Sequence, residues 1–349
     1  MKDFSYAVLI ARLQPPHEAH IEIINKALEK ADKLIIVLGS HGAARDVRNP
    51  WLTSERKEMV RLCFDEETNA RIEFVTVRDH LYNDTNWMAD VQQKVTSITG
   101  NANILLVGHD KDKTTKYLNF FPQWEVLDTG RSQSFAFLTA TDIRNAFFNE
   151  GPIEEQEVWK RVWQHWVHPN VKTWMNEFRQ TDSYARLHQS YLFLREYKEQ
   201  WKSAPFPPTF VTTDAVVIAS GHVLLVKRKF NPGADLFALP GGFLDNEMTL
   251  TQSMVRELKS ETRIRLPVEQ IQQSIKMSKV FDHPERSLRG RTITHAYLIR
   301  LPDGEPLPEV KGDTDAAGAL WMQLGELHLH EDEFFEDHLQ IIDTFLGIG

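Results

Sequence analysis

Short apolar runs alternate with stretches of helical periodicity along the first hundred residues, and this alternation restricts the fold more than any other feature. The apolar runs are 6–13, 33–40, 71–79 and 103–110, and the periodic stretches between them are 20–31, 53–64 and 85–99. Strands that alternate with helices form right-handed βαβ units, which give a parallel sheet covered on both faces. We therefore predict an α/β domain whose ligands bind at the carboxyl ends of the strands.

The chain changes character after residue 150. Residues 151–204 are mainly helical in pattern and end in the three-proline stretch "SAPFPPTF", which predicts a stiff, extended connector. Beyond it, two strand-like runs in 210–229, a helical stretch at 249–264 and a strand at 291–301 indicate an α+β domain with a mixed sheet. The predicted organisation is a first domain at 1–150, a helical connector at 151–204 and a second domain at 205–349.

Composition excludes several classes of protein. The 349 residues carry a net charge of −9, which argues against nonspecific nucleic-acid binding because that needs a basic face. A single cysteine, Cys63, rules out an intramolecular disulfide framework and suits a reducing compartment. No apolar run approaches the length of a membrane span. We expect a cytoplasmic protein with small-molecule substrates and no membrane or nucleic-acid partner, and composition leaves a homo-oligomer open.

The stretch "LIARLQPPHEAHIEII" places His17 and His20 where the first strand turns into the first helix. The first N–H groups of a helix are unpaired and its dipole is positive there, so this corner suits a phosphate group. Two imidazoles three residues apart can project toward the same anion and stabilise charge on a phosphoryl group during transfer. A polar turn that merely contains histidines is the alternative interpretation.

A second phosphate contact is predicted in "FLTATDIRNAFF". Thr139 and Thr141 are hydroxyl donors and capping residues at the start of a helix, and that helix carries Arg144. Hydroxyl groups together with a guanidinium at a helix start provide the hydrogen-bond donors that a phosphate requires. The two corners therefore favour a nucleotide site in the first domain.

These motifs resemble those of nucleotidyltransferases with an H-x-x-H near the N-terminus and an [S/T]-x-x-x-I-R near the domain end. The segments "GAARDVRNPWLTSERKEM", "VRDHLYNDTNWM" and "GHDKDKTTKYLNFFPQW" look like the nicotinamide-mononucleotide adenylyltransferase domain of bifunctional adenylyltransferase/Nudix proteins. The resemblance covers roughly residues 5–148. It implies a Rossmann-like nucleotidyltransferase fold and adenylyl transfer from ATP to nicotinamide mononucleotide (NMN), giving NAD and pyrophosphate. An enzyme with the same first corner and a different phosphate acceptor is the alternative.

The resemblance also implies roles for individual residues. His17, His20 and Arg144 would hold the phosphates of ATP, and Trp87 would stack on the nicotinamide ring. Two positions depart from the family pattern, because Ala11 replaces a glycine and Leu13 replaces a phenylalanine. The other residues that the resemblance places at this substrate site are Arg12, Gln14, Arg45, Asn86 and Asp110, in addition to the hydroxyl donors Thr139 and Thr141.

A second corner, "LPGGFLDNEMTLTQSMVRELKSETRI", resembles the Nudix box, G-x5-E-x7-R-E-U-x-E-E-x-G-U with U aliphatic. Glutamates at i, i+3 and i+4 of one helix provide the carboxylate cluster that divalent cations need. Glu257 and Glu261 remain and are predicted to be metal ligands and catalytic residues for Mg²⁺, with Mn²⁺ as an alternative. Three box positions do not match, namely Met248, Ser260 and Arg263.

The flanking segments "FDHPERSLRGRTITHAY" and "EVKGDTDAAGALW" look like the Nudix half of the same bifunctional proteins. The resemblance implies hydrolysis of ADP-ribose to AMP and ribose 5-phosphate, with Gly241, Gly242, Arg256 and Arg286 near the substrate. Because the box is incomplete, a domain that binds a NAD-related nucleotide without cleaving it stays open as an alternative.

Overall fold

The structure is a computed structural model that describes residues 2–109, 117–130, 139–149 and 163–347. It divides into two compact units, Met1–His188 and Gln189–Gly349. The division falls inside the segment predicted as a helical connector, within a continuous helix, Asp182–Gln200. In the ranges that the structure describes, no helix is both long and apolar enough to cross a membrane.

The first unit contains a parallel sheet of five strands in the order β3-β2-β1-β4-β5. Its strands are β1 (Phe4–Ala11), β2 (Ala31–Leu38), β3 (Ile72–Thr76), β4 (Ile104–Gly108) and β5 (Glu125–Asp128). Its helices are α1 (Glu18–Lys30), α2 (Thr53–Arg61), α3 (Glu66–Asn69), α4 (Asp84–Thr99), α5 (Ala140–Phe148) and α6 (Pro169–Phe178), followed by α7 (Asp182–Gln200). The predicted parallel α/β fold is confirmed, and β5 is an additional strand at its edge.

Alternate residues of the central strand pack on opposite faces of this sheet. Leu9 of β1 belongs to the core that contains Ile24 and Leu28 of α1. Val8 belongs to the core on the other face, which contains Val91 of α4. Each face of the sheet is therefore covered by at least one helix, which explains why the strands read as continuous apolar runs. The strand order reverses beside β1, so the crevice for a ligand lies at the carboxyl ends of β1 and β4.

The second unit is built around a mixed sheet in the order β10-β11-β6-β7-β12, with two short strands paired to its middle. The strands are β6 (Thr209–Ala219), β7 (His222–Arg228), β8 (Phe237–Ala238), β9 (Gly241–Phe243), β10 (Ile275–Phe281), β11 (Arg291–Arg300) and β12 (Ala316–Gln323). The helices are α8 (Leu250–Thr262), α9 (Val268–Gln273) and α10 (His338–Leu346), with 3-10 turns at Leu324–Leu329 and Glu331–Glu333. Strands β6 and β11 run parallel and the other neighbours run antiparallel, which confirms the predicted mixed sheet.

Helix α8 packs its apolar side on this sheet. Met254, Val255 and Leu258 lie in one core cluster with Val217 of β6 and Leu224 of β7. Thr249 caps the helix by accepting a hydrogen bond from the backbone N–H of Gln252, and the Gln252 side chain accepts one from the N–H of Thr249. The opposite side of α8, which carries the remaining box glutamates, is thereby directed toward the loop that ends in β9.

Candidate active sites

The histidine corner lies between β1 and α1, at the reversal of strand order. His17 precedes the helix with extended backbone, and its carbonyl oxygen accepts hydrogen bonds from the N–H groups of His20 and Ile21. The imidazole rings of His17 and His20 have centroids 3.8 Å apart and planes tilted by 33°. The structure therefore brings the two predicted rings together at the positive end of a 13-residue helix.

Arg144 joins helix α5 to this corner. Its Nη1 donates to the carbonyl oxygen of Gln14 at 2.7 Å, and its Nη2 donates to the Thr141 hydroxyl at 2.9 Å. Thr139 caps the helix, accepting from the N–H of Asp142. Burial, with the nearby charge of Arg12, lowers the pKa of Arg144 to about 10, so the guanidinium is still a cation at neutral pH. Arg12 itself is exposed next to the turn.

Two residues that the resemblance places at the substrate instead make hydrogen bonds within the protein. The buried Gln14 side chain donates to the carbonyl oxygen of Trp51 and accepts from its N–H, at 2.9 and 3.2 Å. Arg45 makes a two-pronged ion pair with Glu55 at 2.6 and 2.8 Å and also donates to the carbonyl oxygen of Pro50. Both side chains hold the loop before α2 in place.

Arg56 is a component of this corner that the sequence did not reveal. Its side chain is 1% exposed, and its guanidinium donates to the carbonyl oxygens of Arg12, Gly39 and Ser40. These carbonyls lie just beyond β1 and β2, so one cation joins the carboxyl ends of two neighbouring strands. Burial lowers its pKa to about 10, which keeps it charged at neutral pH. No sequence pattern marks it, because its three backbone partners lie 44, 17 and 16 residues away in the chain.

The predicted acceptor side is only partly described. Trp87, in the first turn of α4, lies near the rings of Phe120 and Phe121, with centroids 6.3 and 6.1 Å away. Asn86 is exposed beside it, and its N–H donates to the capping side chain of Asn83. Asp110 lies outside the described residues. Phe121 is fully buried and Trp87 is only partly buried, so Trp87 is the ring of this group on which a planar ring could stack.

The glycine corner of the second unit, formed by Gly241 and Gly242, brings the backbone of β9 close to its neighbours. A Cβ on Gly241 would lie 2.3 Å from the carbonyl oxygen of Thr213, and one on Gly242 would lie 2.9 Å from the carboxyl carbon of Glu257. The N–H of Gly241 donates to Glu261 Oε2 at 2.9 Å. Gly241 is therefore required by space, whereas a side chain on Gly242 would displace the Glu257 carboxylate, and the two glycines place the backbone directly against the two box glutamates.

Burial of Glu257 and Glu261 raises the pKa of both carboxyl groups, which favours binding of a cation between them. Burial raises the pKa of Glu261 to about 8, opposed by the Gly241 N–H and reinforced by the charge of Glu257. Burial also raises the pKa of Glu257, although Arg256 Nη2 lies 2.6 Å from its Oε1. A divalent ion would compensate two carboxylates that resist ionisation when alone.

The mismatched box positions have local explanations. Met248 lies before the helix with its side chain 36% exposed, so packing of the core does not require a particular side chain at this position. Ser260 turns its hydroxyl back to the carbonyl oxygen of Glu257 at 3.1 Å. Arg263 ends α8 in the left-handed region at φ 49°, the conformation that glycine adopts most easily, and its Nε donates to Asp313 at 2.6 Å.

Glu257 and Glu261 suit a divalent ion whose other ligands are water and the phosphate oxygens of the substrate. Among the described residues, no three histidine, cysteine or acidic side chains are arranged to hold a metal by themselves. Mg²⁺ is commonly bound by one or two carboxylates together with water and substrate phosphates, so Glu257 and Glu261 are sufficient for that mode. They are poorly suited to retaining a metal without substrate.

Arg286 lies in a different environment from the predicted substrate contact. Its side chain is 2% exposed and pairs with Asp337, which is 1% exposed, through bonds of 2.9 and 2.8 Å. Burial opposes its charge, but the carboxylates of Asp337 and Asp214 raise its pKa. His338, which follows Asp337 in the chain, accepts a hydrogen bond at its Nδ1 from the backbone N–H of Leu239. Arg286 thus helps to hold the segment that supports the glycine corner.

Comparisons with known proteins match both units. A cytidylyltransferase-like family model matches residues 9–132, and a NUDIX domain model matches residues 208–345. The chain is similar over 99% of both lengths, at 33% identity and a TM-score of 0.89, to a bifunctional NMN adenylyltransferase/ADP ribose pyrophosphatase from Francisella tularensis, whose structure contains AMP and a manganese ion.

Separate relatives match the two halves. A nicotinamide/nicotinic acid mononucleotide adenylyltransferase of Acinetobacter baylyi is 34% identical over 55% of this chain and 95% of its own length. An ADP-ribose pyrophosphatase of Methanocaldococcus jannaschii is 31% identical over 39% of this chain and 72% of its own length.

Proposed function

The chain belongs to the family of bifunctional NMN adenylyltransferase/ADP-ribose pyrophosphatases, and on that basis we propose that it carries out both reactions. The first unit transfers the adenylyl group of ATP to NMN, and the second unit hydrolyses ADP-ribose to AMP and ribose 5-phosphate. The observation that carries the first activity is the pair of rings of His17 and His20 at the start of α1. The observation that carries the second is the contact of Glu257 and Glu261 with the glycine corner.

In the first reaction, a phosphate oxygen of NMN attacks the α-phosphorus of ATP. The bond from that phosphorus to the bridging oxygen breaks, and pyrophosphate leaves. His17, His20 and Arg144 provide cationic or hydrogen-bonding groups near the helix start, where they can bind the triphosphate and stabilise charge that grows on it. Arg56 keeps the ends of β1 and β2 together, so the groups are already in position before ATP binds.

In the second reaction, a water oxygen attacks one phosphorus of ADP-ribose and the phosphoanhydride bond breaks. The water supplies one proton to each new phosphate end. Glu257 and Glu261 would hold Mg²⁺ or Mn²⁺, which supplies charge neutralisation and activation of water when bound. The backbone at Gly241 and Gly242 packs directly against Thr213 and the Glu257 carboxylate, so these glycines help to fix the position of the carboxylates.

The adenylyltransferase is tested by incubating the full chain with ATP, NMN and Mg²⁺ and measuring NAD. We expect product from the wild type and a loss of at least about a hundredfold in kcat/KM for His17→Ala with His20→Ala, since both groups stabilise transferred charge. ADP-ribose hydrolysis by the same double variant is the internal control for folding. NAD formation at the wild-type rate by that variant would contradict the proposal.

The hydrolase is tested by AMP release from ADP-ribose with Mg²⁺ or Mn²⁺. We expect Glu261→Gln to abolish release, while Glu247→Gln leaves it unchanged because Glu247 is an exposed residue just before the helix. NAD synthesis by each variant checks the integrity of the chain. ADP-ribose binding by the wild type without AMP release would instead support a second unit that binds the nucleotide without cleaving it.

A further inference from the structure

The loop between β2 and α2, residues 39–52, packs against the turn that follows β1. The Gln14 side chain in that turn accepts a hydrogen bond from the N–H of Trp51 and donates one to its carbonyl oxygen. The Trp51 ring also packs on Phe147 of α5, with ring centroids 5.5 Å apart. Arg144 precedes Phe147 by about one helical turn, and its Nη1 donates to the Gln14 carbonyl oxygen. The loop, α5 and the histidine corner therefore meet at Gln14.

Asp46 is fixed within this loop by main-chain groups. Its Oδ1 accepts hydrogen bonds from the N–H groups of Arg48 and Asn49, at 2.8 and 2.5 Å. Its own N–H donates to the carbonyl oxygen of Asn49 at 3.3 Å. In the part of the chain that the structure describes, no hydrogen bond is made to its other oxygen, Oδ2. The backbone of the loop therefore holds the Asp46 carboxylate in place through one of its two oxygens.

Asp46 and three guanidinium groups form one cluster of interacting charges. Burial lowers the pKa of Arg144, the cations Arg12 and Arg48 lower it further, and the Asp46 carboxylate raises it. Burial also raises the pKa of Asp46, opposed by its two N–H donors and by the charges of Arg48 and Arg144. Asp142, the other carboxylate that acts on Arg144, accepts its hydrogen bonds within the cap of α5. Asp46 is therefore an acidic group inside a cluster of cations that suits an anion.

We propose that Asp46 limits the affinity of the histidine corner for polyphosphates and thereby promotes the release of pyrophosphate. This inference rests on the proposed adenylyl transfer and adds to it a residue that sets the affinity for the leaving product. The corner offers pyrophosphate imidazole rings, guanidinium groups and the positive end of α1, which together favour tight binding. A carboxylate fixed in the same partly desolvated cluster repels every negative charge on the ligand. It therefore weakens binding most for the most highly charged ligands, and weaker binding shortens residence.

Asp46→Asn isolates the effect of the charge, because an amide oxygen can still accept hydrogen bonds from the two N–H groups of the loop. We expect inorganic pyrophosphate to bind this variant of the full chain about five- to twentyfold more tightly than the wild type, measured by calorimetry in EDTA. Adenosine carries no charge and should bind both proteins equally. Asp32→Asn makes the same chemical change on an exposed residue at the amino end of β2 and is the matched control. The second unit is identical in all three proteins, so differences between them arise in the first unit.

The outcomes separate this inference from the proposed function. If NAD is formed but Asp46→Asn binds pyrophosphate within twofold of the wild type, or more weakly, the role of Asp46 is wrong and the adenylyltransferase stands. If the gain for pyrophosphate appears but no NAD is formed, the effect of Asp46 on polyphosphate affinity stands and the reaction is wrong. An equal gain in Asp32→Asn or for adenosine, or no pyrophosphate binding by either protein, contradicts the inference. Should Asp46→Asn not fold, Asp46→Ser replaces it, since its hydroxyl can also accept from the loop.

Discussion

Breaking the buried ion pair of the second unit is a demanding test of its architecture. Arg286→Met would leave Asp337 in an environment where its side chain is 1% exposed, without the two hydrogen bonds that now satisfy it. Removal of one partner from a buried ion pair costs about 3–5 kcal/mol, because the remaining carboxylate stays buried after it has lost its cation. We expect the free energy of unfolding of the second unit to fall by that amount.

Urea denaturation of the full chain followed by pulse proteolysis measures this, with the surviving fragment of each unit quantified separately. With a urea dependence of about 2 kcal/mol per molar, the midpoint of the second unit should shift down by about 1.5–2.5 M. The midpoint of the first unit serves as the control and should not move. The double variant Arg286→Met with Asp337→Leu should recover most of the loss, because apolar residues of similar volume can replace a buried pair.

The opposite pattern would refute this reasoning. If Arg286→Met unfolds at the wild-type urea concentration but raises KM for ADP-ribose tenfold or more, Arg286 contacts the substrate directly. The buried pair would then contribute little to the stability of the unit. A double variant that is less stable than the single variant would also contradict the account.

Further predictions concern the glycine corner and the residues that support it. Gly242→Ala should lower kcat for AMP release about ten- to a hundredfold, because its Cβ would displace the Glu257 carboxylate, whereas Gly325→Ala enters open space and should change nothing. His338→Asn can place an acceptor where Nδ1 now lies and should retain hydrolysis, while His338→Gln should lose most of it. Burial keeps the pKa of His338 well below 6.5, so below pH 6.5 this imidazole is protonated in the unfolded chain but not in the folded one. The free energy of unfolding of the wild type should therefore fall by up to about 1.4 kcal/mol for each pH unit below 6.5. This contribution should be absent in His338→Asn. Met248→Glu restores a third carboxylate and should tighten Mn²⁺ binding, measured by calorimetry, at least about tenfold.

The strands and helices of the first unit could be predicted because their signal is local. Each strand is buried on both faces, so its apolar run is visible in the sequence, and each helix has its own buried stripe, as in α1 with Ile24, Ala27 and Leu28. Strand β5 was missed because none of its four residues is fully buried and it therefore carries no apolar pattern. Predicted element ends differ from the observed ones by a few residues, since fraying and capping depend on tertiary contacts.

The site was predictable only in part, for a related reason. The spacing of His17 and His20 is a property of one helix start, and the structure brings their rings together as that spacing suggests. For Gln14 and Arg286, the motif indicates where the residue lies but not which group it meets. Their partners, Trp51 and Asp337, lie 37 and 51 residues away in the chain. Contacts at such separations depend on the folded topology rather than on any local pattern.

The short segment from Phe334 to His338 has a consequence for incomplete chains. Phe335 donates its N–H to the carbonyl oxygen of Phe237, Asp337 holds Arg286, and His338 accepts from Leu239. These contacts come from the last sixteen residues of 349. A chain that terminates before Phe334 would lose the contacts that support the glycine corner. It would still contain every described residue of the NAD-forming site in the first unit. Such a truncated protein would synthesise NAD while having lost its ability to degrade ADP-ribose, and bulky fusions at the C-terminus would selectively endanger the same activity.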